Sequence, residues 1–279
     1  MDPRPAVVAR RLGGVRRIVA VTGGKGGIGK SSIAVGLALA FARGGARVGL
    51  LDLDLWGPSD HVILGIPRPA LAEDDGLVPA SVDGIAFLSI ASIIGERPAI
   101  LRGDDVASAI LELLAVTRWG DLDLLVVDMP PGFGDTVLDA ARYLPRAEYV
   151  VVATPSELTL ATTRRTLELL RRLRLPVLGL VENLRREGDA AVAGRLGTAG
   201  TAGTVRTLGT VHLDDAYERS LGDPGRLATT RFAGEVAAVA RAIVEISPPA
   251  DARRDGGPPP GSRPTAGPST APDRRRAAR

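Results

Sequence analysis

Gly23-Gly24-Lys25-Gly26-Gly27-Ile28-Gly29-Lys30-Ser31-Ser32 is the stretch that decides how the rest of the chain reads. Gly24 to Ser31 fits the pattern G-x-x-x-x-G-K-[ST], a loop whose backbone N–H groups cradle phosphates. Its glycines let the chain turn tightly and aim several N–H groups at one point. On one side, Ile18-Val19-Ala20-Val21 predicts a short buried strand. On the other, Ser32 to Ala42, rich in Ala, Leu and Val, predicts a helix. A loop in that position sits at a helix N-terminus, where the backbone dipole favours an anion.

The basic residues point the same way. Of 35 Lys and Arg residues only two are lysine, Lys25 and Lys30, and both lie in this stretch. A compact ammonium and a planar guanidinium are not interchangeable at a crowded phosphate. Lys30 is expected to reach the β- and γ-phosphates and the Ser31 hydroxyl to ligate Mg²⁺.

Composition bounds the alternatives. A chain of 279 residues, 45% hydrophobic, can bury a substantial core, and with 3% aromatics that core must be aliphatic. The absence of cysteine excludes a disulfide, a thiolate metal site and a cysteine nucleophile. It suits a cytoplasmic protein. No apolar run approaches the roughly 18 residues of a membrane span. Arg4, Arg10, Arg11, Arg16 and Arg17 precede the first strand without the apolar core of a secretory signal. The net charge is +3, yet residues 247–279 carry seven Arg and three Asp, a net of +4, which leaves −1 for residues 1–246. The basicity belongs to the tail.

Strands and helices are expected to alternate from about residue 17 to 246. That pattern predicts an α/β fold of three layers, a P-loop NTPase core with a mostly parallel, doubly wound sheet. Further strands are expected at Val48–Leu53, at two short runs around Asp83-Gly84 within Gly76–Ile90, and at Leu122–Val127. Three more are expected at Glu148–Ala153, Val177–Val181 and Thr207–Val211. Helices are expected within Arg102–Trp119, at Ser156–Leu173 and at Phe232–Ile246. Residues 1–16 read as a basic extension, 17–246 as the ATPase domain and 247–279 as a disordered Pro/Gly/Arg-rich tail. The Gly/Ala/Thr-rich stretch from Arg186 to Val205 reads as a mobile loop with room for one helical turn.

Hydrolysis needs more than a phosphate loop. It needs a carboxylate for Mg²⁺ or its waters and a group that positions the attacking water. Leu124-Leu125-Val126-Val127-Asp128 is an apolar strand ending in Asp, followed by the turn-rich Met129-Pro130-Pro131-Gly132-Phe133-Gly134-Asp135. Leu50-Leu51-Asp52-Leu53-Asp54 runs into Trp56-Gly57-Pro58-Ser59. Alternate strand residues share a face, so Asp52 and Asp54 are expected to point the same way. Ligands of open α/β sheets bind at such strand ends.

The loop with its early Lys25 resembles the deviant Walker A of the ParA/MinD-type ATPases. The Asp52–Ser59 stretch, the Asp128–Asp135 loop and Val181-Glu182-Asn183 resemble the Mrp/ApbC branch of that group. The resemblance covers residues 15–246. It implies a homodimer with ATP sandwiched between subunits, and Lys25 of one subunit reaching the phosphates bound by the other. It implies nucleotide contacts from Gly24, Lys25, Gly26, Gly27, Ile28, Gly29, Lys30, Ser31 and Ser32. Lys25, Lys30 and Asp54 would be the catalytic groups, with Asp54 orienting the water. Ser31, Asp54 and Asp128 would make the Mg²⁺ site, Asp128 from the second shell, and Asn183 would contact the adenine. A lysine supplied across the interface would act as an arginine finger does.

The sequence departs from that branch in one respect. Many Mrp/ApbC-type proteins carry Cys-x-x-Cys after the Glu-Asn strand, which holds an iron–sulfur cluster between subunits. Leu184–Leu208 has no cysteine, and such clusters are held mainly by thiolates. No cluster is therefore expected on this chain alone. Val211-His212-Leu213-Asp214 also stands where relatives often show Ile-Pro-Leu-Asp. The first functional expectation is an Mrp-type ATPase of iron–sulfur or metallocofactor assembly, with a client or scaffold protein as partner. The alternative is a ParA/MinD-like positioning or partitioning ATPase. Its features are Arg164, Arg165, Arg171, Arg172 and Arg174 on one helix and Arg274-Arg275-Arg276 in the tail. The helix reads more simply as a solvated face opposite Leu160, Leu167, Leu170 and Leu173. The tail lacks the apolar face needed for a membrane and would bind nucleic acid only weakly, by counterion release.

Overall fold

The computed structural model describes residues 2–55, 57–66, 72–73, 76–90, 92, 103–132, 135–197 and 205–246. All belong to one compact unit, Met1–Pro248. The expected disorder of residues 247–279, and Trp56, Phe133 and Gly134 of the quoted motifs, lie outside the described residues.

The alternation read from the sequence is present. Strands β1 (Ile18–Thr22), β2 (Val48–Asp52), β6 (Ile85–Ser89), β7 (Leu124–Asp128), β8 (Ala147–Ala153), β9 (Val177–Arg185) and β10 (Thr207–His212) form a parallel sheet, and β5 (Ala80–Val82) pairs antiparallel at its edge. The strand order is β10-β9-β8-β1-β7-β2-β6-β5. A separate two-stranded pair, β3 (Ala72–Glu73) and β4 (Leu77–Val78), lies outside it. The phosphate-loop strand β1 sits between β7 and β8, with Val21 opposite Asp128. On the next strand pair, Asp52 stands opposite both Asp128 and Ser89. Register therefore fixes the acidic strand ends at one level.

Side-chain alternation splits the core in two. Val19, Val21, Leu50, Val126 and Val152 pack with helices α2 (Lys30–Arg43) and α10 (Arg231–Glu245). Ala20, Leu51, Val127 and Val151 pack on the other face with α4 (Gly103–Val116), α5 (Asp135–Tyr143) and α6 (Glu157–Arg172). This is the expected three-layer arrangement. Helix α2 can lie close to α10 because Gly36 has no side chain: a Cβ there would stand 3.1 Å from Phe232 and Val236. A partly buried ion pair ties the sheet to α10. Arg17 meets Glu148 at 2.5 Å and donates to the Ile243 carbonyl at 2.9 Å.

Three segments differ from the sequence reading. The arginine-rich start contains a helix, α1 (Arg4–Arg11), whose Val8, with Leu12 beyond it, is buried in the core shared with α4. Strand β9 continues past Val181 to Arg185 and so carries Glu182 and Asn183. In the loop after β9, α7 (Val192–Gly197) forms with Val192 and Leu196 buried, an i,i+4 apolar pair. Residues 198–204 lie outside the described residues. The described residues also include three short helices, α3 (Asp60–Leu64), α8 (Asp215–Glu218) and α9 (Pro224–Leu227).

On α6, Arg171 and Arg172 both pair with Glu168, at 3.1 and 2.8 Å, and Arg164 donates to the Arg195 carbonyl. Much of that helix's basic face thus answers groups of this chain. Among the described residues no helix is long and apolar enough to cross a membrane.

Candidate functional site: a phosphate loop above three buried aspartates

The loop between β1 and α2 has a cradle's shape. Gly27 and Gly29 adopt φ of +76° and +81°, and Gly29 is the residue from which α2 starts. Positive φ is costly for residues with a Cβ. At Gly26 and Gly27 the space a Cβ would fill is open, with nothing within 4 Å. Helix α2 begins at Lys30, ahead of the Ser32 start expected from the sequence. Lys30 is 5% exposed, whereas Lys25 is exposed at the loop's rim. One ammonium lies under the cradle and one stands outside it.

Below the loop, the Ser31 hydroxyl donates to Asp128 Oδ2 at 2.6 Å. Asp128 Oδ1 is buried and has no hydrogen-bond partner among the described residues. Burial pushes the Asp128 carboxyl up to about 7, against the pull of the Ser31 hydroxyl and the Lys30 ammonium. A hydroxyl, a carboxylate with a spare oxygen and an ammonium beside an open ring of amides fit a magnesium–triphosphate. Ser31 and Asp128 would hold the ion.

Strand β2 ends at Asp52, so Asp54 lies beyond it rather than on the same strand face. The two remain linked: the Asp54 N–H donates to Asp52 Oδ1 at 2.9 Å, and the Gly57 N–H donates to Asp54 Oδ1 at 3.2 Å. Asp54 is 8% exposed. Ser89 donates to Asp52 Oδ2 at 3.1 Å. Burial, followed by the charge of Asp128, pushes the Asp52 carboxyl up to about 8.

Sequence reasoning missed Asp60. It begins α3, is wholly buried, and neither of its carboxylate oxygens has a hydrogen-bond partner among the described residues. Burial first, then the charges of Asp128, Asp52 and Asp54, push its carboxyl well above the usual range. Asp52, Asp60 and Asp128 each offer an oxygen within 4.8 Å of the others. The expected metal set was Ser31, Asp54 and Asp128. The structure joins Ser31 to Asp128, and groups Asp128 with Asp52 and Asp60.

Asn183 and Ser32 are tied to the loop's own support. The Asn183 side-chain amide donates to the Ile28 carbonyl at 2.9 Å. Tyr217 donates its phenol to Ser32 Oγ at 2.6 Å. Beside Lys25, Gly26 and Gly27 opens a cleft of about 450 Å³, bordered by Thr159, Leu184 and Arg186. Leu184 reaches it from a backbone φ of +54°, 38% exposed. The cleft's volume is within the range of small-molecule sites.

Buried Glu182, next to Asn183, anchors the end of β9 and the start of α7. Its Oε1 accepts from the Ala193 N–H at 3.0 Å and its Oε2 meets Arg185 at 3.1 Å. Arg195 in turn donates to the Pro155 carbonyl and pairs with Glu157.

Comparison with known proteins agrees with this geometry. Residues 14–227, more than half of the chain, match the family described as "ParA: NUBPL iron-transfer P-loop NTPase". The chain is 46% identical over 177 residues to an iron-sulfur cluster carrier protein of Pseudomonas fragi, covering 62% of each. It is 42% identical over 176 residues to the iron-sulfur cluster carrier protein of Escherichia coli K12, covering 62% of this chain and 48% of that one. It is 41% identical over 177 residues to the Arabidopsis thaliana iron-sulfur protein required for NADH dehydrogenase, mitochondrial, covering 62% and 56%. The chain thus spans about half to six-tenths of these relatives' lengths. Among solved structures, a nucleotide-binding protein of Archaeoglobus fulgidus in complex with ADP superimposes with a TM-score of 0.68 and 29% identity, over 81% of this chain and 93% of that one. The MinD cell division ATPase of Pyrococcus furiosus shares the fold, with a TM-score of 0.62 at 19% identity over 83% and 99%. A phosphate loop on the central strand, Asp at the neighbouring strand ends and the match over residues 14–227 lead to one conclusion: the chain belongs to the ParA/NUBPL iron-transfer family of P-loop NTPases.

Proposed function

We propose that this chain is a magnesium-dependent ATP-binding and ATP-hydrolysing switch that works as a homodimer in iron–sulfur cluster or metallocofactor assembly. The observation that carries the reading is the buried pair Lys30 and Asp128, with half-buried Ser31 bonded to Asp128, beneath an open glycine cradle. The names of the relatives support the place in cluster assembly. Magnesium, when bound, would neutralise charge on the β- and γ-phosphates. Backbone amides of Gly24 to Ser31 would hold the phosphate oxygens, and Lys30, already desolvated, would bind them strongly in a low dielectric. Asp54 would orient the attacking water. Lys25, at the rim, would act across a dimer interface on the nucleotide of the other subunit. Turnover would then be slow and governed by assembly with a second copy and with a client protein.

With no cysteine, the chain would act on a cluster held by other thiolates, as an adaptor rather than as the cage. The reading as a positioning ATPase has less support, since Arg164, Arg171 and Arg172 answer groups of this chain.

The test is steady-state phosphate release with Mg²⁺ and ATP, alongside Lys30→Ala. Slow hydrolysis by the wild type and no nucleotide binding by the variant are expected. Unchanged hydrolysis in Lys30→Ala would reject the loop as the site. Anaerobic reconstitution with iron and sulfide should leave the isolated chain without a cluster absorption band.

A further inference from the structure

We propose that Asp52, Asp60 and Asp128 form a divalent-cation site of their own, filled in the absence of nucleotide. It lies beneath the phosphate loop and shares only Asp128 with the ion that would accompany ATP.

Three observations lead there. The first is Asp60: wholly buried, both oxygens without partners among the described residues, and one of them within 4.8 Å of oxygens from Asp52 and Asp128. Buried polar groups are almost always satisfied, and one that is not calls for an ion or water. The second is the divided carboxylate of Asp128. Its Oδ2 accepts from Ser31, while its buried Oδ1 has no partner among the described residues. The third is charge. Three carboxylates of formal charge −3, with the further carboxylate of Asp54 beside them, face one buried ammonium, Lys30, so a dication would offset most of the excess negative charge. Among the described residues the other groups facing the cluster are Asp54, the Ser89 and Ser31 hydroxyls and the Tyr217 phenol, and none of them supplies positive charge.

The donor set selects the ion class. It is all oxygen, with no imidazole or thiolate, and so favours Mg²⁺, Mn²⁺ or Ca²⁺ over zinc, copper or iron. Oxygens on opposite sides of such ions lie about 4.2 to 5 Å apart, from metal–oxygen distances of about 2.1 to 2.5 Å. Pairwise separations within 4.8 Å match that span. Asp52 can join while keeping its two hydrogen bonds, because each carboxylate oxygen has a second lone pair. Nothing in this reasoning depends on nucleotide binding, so the two readings stand or fall apart.

The experiment is a Mn²⁺ titration of the full chain, stripped with EDTA and free of nucleotide, followed by the electron paramagnetic resonance signal of free Mn²⁺. Competition by Mg²⁺ and Ca²⁺ then ranks the ions. The wild type should take up one Mn²⁺ per chain. Asp60→Asn, nearly isosteric and relieved of like charge, should lose about tenfold or more in Mn²⁺ affinity while binding a fluorescent ATP analogue as before. Ser31→Ala should still take up Mn²⁺ without nucleotide. Where Asp60→Asn gives no cooperative melt, Asp52→Asn takes its place, with the same loss expected. No uptake by the wild type would overturn the proposal. So would wild-type affinity in the aspartate variant, or loss of uptake in Ser31→Ala, which would put the ion at the phosphate loop.

Discussion

Asn183, near the end of β9, holds the carbonyl of Ile28 in the phosphate loop at 2.9 Å, across 155 residues of sequence. The same side chain stands where a Cβ on Gly29 would come within 2.2 Å of its Nδ2. The loop's shape therefore depends on a strand that is not a neighbour of β1 in the sheet order. Removing a buried hydrogen-bond partner costs about 1–3 kcal/mol. Asn183→Ala should weaken ATP binding about tenfold for each 1.4 kcal/mol of that loss felt at the loop. Gly29→Ala meets both the clash and a φ of +81°, and should abolish binding. The clash is with Asn183, so Gly29→Ala should cost less in an Asn183→Ala background. Strict additivity in a calorimetric double-mutant cycle would contradict the coupling.

Lys25 is exposed in a single subunit while Lys30 is buried. If Lys25 serves the partner's nucleotide, Lys25→Ala should retain ATP affinity and lose about 100-fold or more in kcat. Lys25→Arg should not restore it, because a planar fork does not fit where an ammonium reaches. Equal kcat for Lys25→Ala and the wild type would remove this lysine from the chemistry.

The buried carboxyls set a pH dependence. Asp52 and Asp128 titrate at about 8 and about 7 in the folded chain, and Asp60 well above its usual value. Unfolded, each would titrate near 3.9. Between those values the folded state holds more protons than the unfolded one, so stability falls as pH rises. Their contribution is fully present below about pH 4 and is lost as pH passes through about 7 to 8. Thermal melts in EDTA without nucleotide should show Tm falling over that upper range. Asp60→Asn should flatten the profile. Half-buried Asp123 and Glu168, each held at about 2 by neighbouring arginines, work in the opposite direction only at strongly acidic pH. A Tm that rises from pH 6 to 8.5 (about the range of interest) would exclude protonated carboxyls in the metal-free cluster.

Glu182 keeps α7 on the sheet through Ala193 and Arg185. Glu182→Ala removes the carboxylate from Arg185, whose guanidinium keeps only the Asp189 carbonyl among the described residues, and leaves the Ala193 N–H without its acceptor. The loss should be roughly 3 kcal/mol, the low end for a broken buried pair, since Arg185 keeps some solvent. Glu182→Gln retains an acceptor and should lose less. Equal urea midpoints for all three proteins would show that the contact carries no stability.

Much of this was readable from residues alone, for definite reasons. The loop, β1 and α2 announce themselves because glycine spacing and aliphatic runs are local signals. Asp128 and Asp52 could be placed because each ends an apolar strand. Helix α1 escaped because its arginines outweigh Val7 and Val8, and its burial is decided by α4, about a hundred residues later. Asp60 comes after the turn residues Gly57, Pro58 and Ser59, where an acid ordinarily caps a helix in solvent. Only the packing of α3 under the loop buries it. Ser32 and Asn183 read from the sequence as nucleotide contacts, whereas their bonds to the hydroxyl of Tyr217 and the carbonyl of Ile28 are meetings between distant segments, which spacing does not encode.

A chain with two lysines, one deep under its loop and one at the rim, offers an acylating dye a single side-chain amine. At mild pH such a reagent should decorate residue 25 alone, apart from any terminal amine, and mass spectrometry would locate it at once. The dye would then sit on the surface that two subunits are proposed to press together, reporting their meeting as a change in colour or polarisation, with no cysteine to introduce or remove.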